Sequence, residues 1–161
     1  MSTPHQALIG LGANLGDAQA TVEAALEALH AIPHTRLVNR SALYLTAPIE
    51  ATGDDYVNAV AELSTELEPL ELLRALQAIE HEFGRVRTYQ NAPRTLDLDL
   101  LLFDQITLQS TELQLPHPRM HQRAFVVVPL HAIAPKILIP QIGLVSDLLP
   151  LVADQAIRRL S

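Results

Sequence analysis

Cysteine and tryptophan are absent from the 161 residues, and lysine occurs once, at Lys136. Without cysteine there is no disulfide and no thiolate nucleophile or ligand, which fits a reducing compartment. With one lysine and a formal charge of −7, the chain lacks the extended basic surface that broad nucleic-acid binding requires. Long hydrophobic runs are missing too. The longest, near Ala124 to Val128, falls far short of the roughly 20 apolar residues of a membrane-spanning helix. No Lys or Arg precedes Arg36, and no signal-type apolar stretch stands near the start. The expectation is a soluble, cytoplasmic protein, one domain over 1–161, with no repeat, linker or low-complexity stretch.

What is present is a pair of carboxylates inside an apolar, strand-like run, Pro93-Arg94-Thr95-Leu96-Asp97-Leu98-Asp99-Leu100-Leu101-Leu102-Phe103. Alternation along a strand puts Asp97, Asp99, Leu101 and Phe103 on one face and Leu96, Leu98, Leu100 and Leu102 on the other. The two acids then have Cα atoms about 7 Å apart, at roughly 3.3 Å per residue, and both can reach a pair of divalent cations. Two like charges beside leucines are costly unless something cationic neutralises them. An isolated D-x-D also occurs as a solvent-facing pair on an edge strand. Arginines decide the weighting: Arg85, Arg87, Arg94, Arg119 and Arg123, half of the ten, fall within residues 85 to 123. Metals on the carboxylates and guanidinium forks on phosphate oxygens would hold a small polyanion, and the competing reading is an Arg–Asp salt-bridge network.

Around this run the chain reads as mixed α and β. A short strand over 7–12 leads into the turn Gly12-Ala13-Asn14-Leu15-Gly16, whose G-x-G-x-x-x-G spacing is not that of a dinucleotide fold. Asp17 caps a helix with an inward stripe of Val22, Ala25, Leu26, Leu29 and Ile32, ended by Pro33. A strand follows over 36–46, and another over 56–67 in which Tyr56 and Asn58 point together, away from the apolar face. Pro69 opens a second helix that buries Leu72, Leu73, Leu76, Ile79 and Phe83 and closes at Gly84; Gln77 and Glu80 share one of its faces. After the acidic strand, a short strand near Ile106 to Leu108, a mostly irregular C-terminal third with a helix near 122–134, and a further helix near the end are expected. This order favours an α+β sandwich with a mainly antiparallel sheet.

A second dense motif is Leu115-Pro116-His117-Pro118-Arg119-Met120-His121-Gln122-Arg123-Ala124-Phe125. His117 and His121 are four apart, as zinc ligands on a helix can be, but no glutamate follows His117 and Pro118 interrupts the turn. A histidine among prolines and arginines suits hydrogen bonding to phosphate.

Together, LIGLGANLGD, EHEFGRVR, APRTLDLDLLLFD and LPHPRMHQRAFVVVPL resemble the 6-hydroxymethyl-7,8-dihydropterin pyrophosphokinases of folate biosynthesis, in order and over nearly the whole chain. The resemblance implies a ferredoxin-like α/β/α sandwich and transfer of the terminal diphosphate of ATP to the pterin hydroxymethyl group, with release of AMP and use of two Mg²⁺ ions. By matching position it implies that Asp97 and Asp99 hold both ions, and that Arg85, Arg94 and Arg123 hold phosphates, the first two taking part in catalysis. Arg87 would lie in a loop closing over the nucleotide, with Gln77, Glu80, Leu100 and His117 on the nucleotide side. Tyr56 and Phe125 would sandwich the pterin, Asn58 would pair with its amide-like edge, and Thr46 and Pro48 would complete the pocket. Residues 90–92 lack a tryptophan that some members carry, and Pro118 replaces a tyrosine of some members. Arg119 and His121 match no family role. A monomer acting on ATP and the pterin, without nucleic acid or membrane, is expected. From the residues alone, a two-metal phosphohydrolase, a nucleotide sensor and an interaction module stay open.

Overall fold

The expected elements form, with changes of detail in the second strand, the acidic strand, the short strand after it and the C-terminal third. The computed structural model describes residues 4–14, 17–46, 56–84 and 96–160. Strand β1 (His5–Ala13) is followed by helix α1 (Ala18–His30), whose N-terminus is capped by Asp17 accepting from the Ala20 N–H at 3.0 Å. Strands β2 (Thr35–Arg40), β3 (Tyr44–Thr46) and β4 (Tyr56–Thr65) lead to helix α2 (Pro69–Gly84) and strand β5 (Asp97–Phe103). The hairpin β6 (Leu108–Gln109) and β7 (Gln114–Leu115) comes next, then a 3₁₀ turn at Met120–Gln122 and helix α3 (Ala124–Ile133). A second hairpin, β8 (Leu138–Ile139) and β9 (Gly143–Leu144), helix α4 (Val145–Leu148), a 3₁₀ turn at Leu149–Val152 and strand β10 (Ile157–Arg159) complete the chain.

The main sheet runs β10-β3-β4-β1-β5, with β2 also on β4, and every pairing in it is antiparallel. The β-α-β-β-α-β order with β1 between β4 and β5 is the ferredoxin-like arrangement. Apolar positions split between its two faces. Ile9, Leu11, Ala59, Ala61, Leu63, Leu98 and Leu100 pack with Val22, Leu26, Leu29, Leu72 and Leu76 of α1 and α2. Leu8, Val60, Leu101 and Leu102 pack with Val126, Val127 and Leu130 of α3 and with α4. The result is an α/β/α sandwich.

The strand expected over 36–46 is two strands. Ser41 divides them: its N–H donates to the Val60 carbonyl at 2.9 Å, while its hydroxyl accepts from the Val60 N–H at 3.0 Å and donates to the Ala42 carbonyl at 2.7 Å. A serine side chain thus replaces one ladder acceptor, and pairing resumes at Tyr44 opposite Asn58. We expect Ser41→Ala to strand the buried Val60 N–H and cost about 1–3 kcal/mol, measured as a shift in the urea midpoint; an unchanged midpoint would show that the hydroxyl is dispensable.

The face assignment of the acidic run also changes beyond Leu100. Ile9 lies opposite Leu100 and Leu8 opposite Leu102, so Leu101 is an extra, bulged residue. Asp97 and Asp99 keep their common face, but Phe103 turns to the α1–α2 core instead of joining them, and Leu102 leaves the face of Leu98 and Leu100 for the α3 side. The short strand expected near Ile106 to Leu108 lies at Leu108–Gln109, paired with Gln114–Leu115, and Ile106 is exposed. The C-terminal third, after Leu115, is more regular than expected, with a hairpin and a strand in the main sheet.

Candidate active site

Directly opposed residues of antiparallel strands point to the same face. Asp97 is opposite Gly12 and Asp99 opposite Gly10; across β1, Gly12 is opposite Asn58 and Gly10 opposite Val60. Asn58 faces Tyr44, and Tyr56 faces Thr46. One face of the sheet therefore carries both acids at one edge and Tyr56, Asn58 and Thr46 toward the other, with a glycine lane between. Gly12, expected where the first strand passes into a turn, is in strand β1, which runs on to Ala13. A Cβ there would sit 2.8 Å from Asn58 Nδ2, so only glycine leaves the asparagine where it is. Two glycines two residues apart in a strand are a signal of close approach that a turn reading passes over.

Asn58 is buried and oriented. The Thr46 hydroxyl donates to its Oδ1 at 2.7 Å, and its Nδ2 donates weakly to the Leu11 carbonyl at 3.4 Å. What the side chain can still offer a ligand is the second Nδ2 hydrogen and the second Oδ1 lone pair.

The wall beside the acids comes from the second motif, tied down by the bulge. The Leu101 carbonyl accepts from the His117 N–H at 2.9 Å, which draws His117 to within electrostatic reach of Asp99, with Arg119 and Arg123 also acting on it. Burial holds the His117 pKa below its ordinary 6.5; Asp99 pulls it up, and Arg123 and Arg119 push it further down. Its burial favours the neutral ring. Its Nδ1 accepts from the Arg119 N–H at 3.2 Å, so the proton resides on Nε2, a donor. Arg123 stands at the start of α3 with its guanidinium carbon 5.4 Å from the centre of the Phe125 ring, a cation–π geometry. Phe125 is half-buried against the α3-side core, the sheet side of Tyr56 and Asn58.

Three further residues need placing. The Leu100 side chain is buried in the α1–α2 core, so any nucleotide contact it makes is through its backbone. Gln77 is exposed on α2. Glu80, one turn on, uses Oε2 to accept from the Leu98 N–H at 2.8 Å, gripping edge strand β5 between the two acids. That contact orients the acid pair from behind. Glu80→Ala is expected to raise the Mg²⁺ concentration for half-maximal rate about tenfold, the usual scale for a residue supporting a ligand. Glu80→Gln, which keeps an acceptor, should stay near wild type; equal losses would assign the residue a charge role instead. Arg85, Arg87, Arg94 and Pro48 lie outside the described residues. His121 has a buried Nδ1 without a hydrogen-bond partner among the described residues and joins no cluster.

The acid pair is a donor set suited to Mg²⁺, two carboxylates with hard oxygens. Among the described residues no group of three or more His, Asp or Glu side chains could hold a metal, and Mg²⁺ characteristically takes one or two carboxylates and completes its shell with substrate phosphates and water.

Residues 8–135 match the family of 7,8-dihydro-6-hydroxymethylpterin-pyrophosphokinase. The chain is 42% identical over 156 residues to the 2-amino-4-hydroxy-6-hydroxymethyldihydropteridine pyrophosphokinase of Haemophilus influenzae, covering 96% of this chain and 98% of that one. It is 45% identical over 153 residues to the protein of the same name from Pseudomonas aeruginosa, covering 94% of each. Among solved structures, wild-type HPPK-DHPS of Plasmodium falciparum matches with a TM-score of 0.74 over 92% of this chain, at 14% identity, a likeness of fold; this chain spans 44% of that longer one. By the length of the family match and the identity to full-length relatives, the chain belongs to the 7,8-dihydro-6-hydroxymethylpterin-pyrophosphokinase family.

Proposed function

We propose that this pyrophosphokinase transfers the terminal diphosphate of ATP to the hydroxymethyl oxygen of 6-hydroxymethyl-7,8-dihydropterin, giving AMP and the pterin diphosphate in folate biosynthesis, by a two-metal mechanism without a covalent intermediate. The observation that carries the reading is the shared sheet face: an acid pair at one edge and, across β1, an oriented asparagine for which Gly12 leaves room. Family membership supplies the reaction class, and this face supplies adjoining places for a polyphosphate and a flat heterocycle.

Asp97 and Asp99 would hold two Mg²⁺ ions, which neutralise charge on the transferred group and polarise its oxygens when bound. The chain's own groups position the reactants. His117 donates from Nε2 to a phosphate oxygen, a role that its neutral state and fixed tautomer suit. Arg123 adds a guanidinium fork beside it, and Arg85, Arg87 and Arg94 contribute others from the preceding loop. Gln77, Glu80 and the Leu100 backbone lie on the nucleotide side. The pterin stacks between Tyr56 and Phe125, with Asn58, held by Thr46, reading its edge and Pro48 closing the pocket. The hydroxymethyl oxygen attacks the β-phosphorus, the bond from that phosphorus to the α–β bridging oxygen breaks, AMP leaves, and the hydroxyl proton is released to water. The enzyme acts as a cytoplasmic, single-domain monomer; no described helix is long and apolar enough to cross a membrane.

Chromatography of adenine nucleotides from a reaction of protein, ATP and Mg²⁺, with and without the pterin, tests this. AMP formed only with pterin is expected. ADP, or AMP without pterin, would replace the reading with a kinase or a hydrolase, and no turnover by folded protein would favour a sensor.

A further inference from the structure

The start of α3 carries two site residues, Arg123 and Phe125, yet nothing local caps it. Arg123 is the single residue between the 3₁₀ turn and the helix, with φ −121° and ψ 116°, and its side chain makes no capping hydrogen bond. An extended residue between two helical turns exposes the peptide groups on either side of it. Both are taken by one side chain from 31 residues away: Gln155 Oε1 accepts from the Ala124 N–H at 2.9 Å, and Gln155 Nε2 donates to the Gln122 carbonyl at 2.8 Å. The planar amide pairs with residue 123 as a neighbouring strand would.

Gln155 also stands next to the strand that builds the other side of the pocket. Two residues later β10 begins, pairing Ile157 with Thr46 on β3, and the Leu160 N–H donates to the Leu43 carbonyl at 2.8 Å. One short segment, 155–160, thus ties the backbone around Arg123 to the strand whose Thr46 orients Asn58. Gln155 itself is exposed and adds little to the core, so its two bonds act chiefly on the direction of α3's first turn.

We propose that Gln155 is a positioning residue: its amide fixes the extended conformation of residue 123 and thereby holds Phe125 against the pterin and Arg123 toward the phosphates. The proposal rests on the pterin reading for its consequence, but not for the contact.

The test uses the full chain with Gln155→Ala and Gln155→Glu. Three readouts are taken: hydrogen exchange of the Ala124 amide, pterin binding by equilibrium titration with a non-hydrolysable ATP analogue and Mg²⁺, and the Mg²⁺ dependence of the rate. Two lost hydrogen bonds of ordinary net strength correspond to about a tenfold effect. Gln155→Ala should speed Ala124 exchange and weaken pterin binding about tenfold, leaving half-saturating Mg²⁺ unchanged because the acids lie on β5. Gln155→Glu keeps the acceptor for Ala124, next to a helix N-terminus that favours an anion, but loses the donor to Gln122, so it should fall between. Unchanged exchange would refute the contact. Faster exchange with undiminished pterin binding would refute the positioning role, as would a parallel loss in pterin and Mg²⁺ affinity, which marks general loosening. Absence of pterin binding by the wild-type protein would instead refute the reading of the reaction itself.

Discussion

Asp97→Ala and Asp99→Ala are each expected to lower kcat by about a thousandfold or more while the folded protein persists. Removing one carboxylate takes away half of the protein's hold on the metal pair, and several kcal/mol of transition-state stabilisation corresponds to that factor at about 1.4 kcal/mol per decade. Stability should hold because neither side chain belongs to the apolar core; both are half-buried on the face opposite Gly12 and Gly10. Deleting one of two neighbouring like charges also relieves their repulsion when metal is absent. Steady-state rates over a Mg²⁺ series, with thermal melts of the same samples, check both halves. Normal turnover by either variant at ordinary Mg²⁺ would remove that acid from the metal site.

Gly12→Ala is expected to cost about ten- to a hundredfold in pterin affinity, and Asn58→Ala a similar amount, the scale of losing an oriented hydrogen-bonding group from a buried site. The new methyl would lie 2.8 Å from Asn58 Nδ2, a contact that has to be relieved. The amide cannot simply swing aside, since it is buried and held through Oδ1 by the Thr46 hydroxyl. ATP affinity should change little in either variant. The two substitutions act on one feature, so they should not add: with Asn58 already alanine, Gly12→Ala should have almost no further effect. Independent, additive losses would mean that Gly12 is needed for something other than room for Asn58.

Period-two alternation made the pairing of Asp97 with Asp99 legible in the sequence, because the leucines between and beside them mark the buried face. The same logic failed at Phe103. From Leu100 to Phe103 every residue is apolar, so no polar position records the extra residue at Leu101 that reverses the faces. That bulge mattered most for the site, since its carbonyl anchors His117. Ser41 was hidden likewise inside a plausible strand, its function lying in a side-chain bond to a backbone group on another strand. Gly12 is legible as the end of the first strand, but clustered glycines suggest a turn before they suggest a close neighbour, so the approach of Asn58 is not. The helices were easier: a capping aspartate, a first-turn proline and 3.6-residue stripes placed α1 and α2 closely. Gln155 left no trace, as a single exposed glutamine carries no pattern and its partners are 31 and 33 residues away. The arginines of 85–94 were legible as a cluster and lie outside the described residues.

The central claim is that two phosphoryl groups move together onto the pterin. It is tested most directly with ATP radiolabelled at the β-phosphate, incubated with protein, Mg²⁺ and 6-hydroxymethyl-7,8-dihydropterin, and resolved by chromatography. All transferred label should travel with the pterin, one equivalent per unlabelled AMP formed. Label recovered as ADP or as free diphosphate, with the pterin unlabelled, would contradict the account.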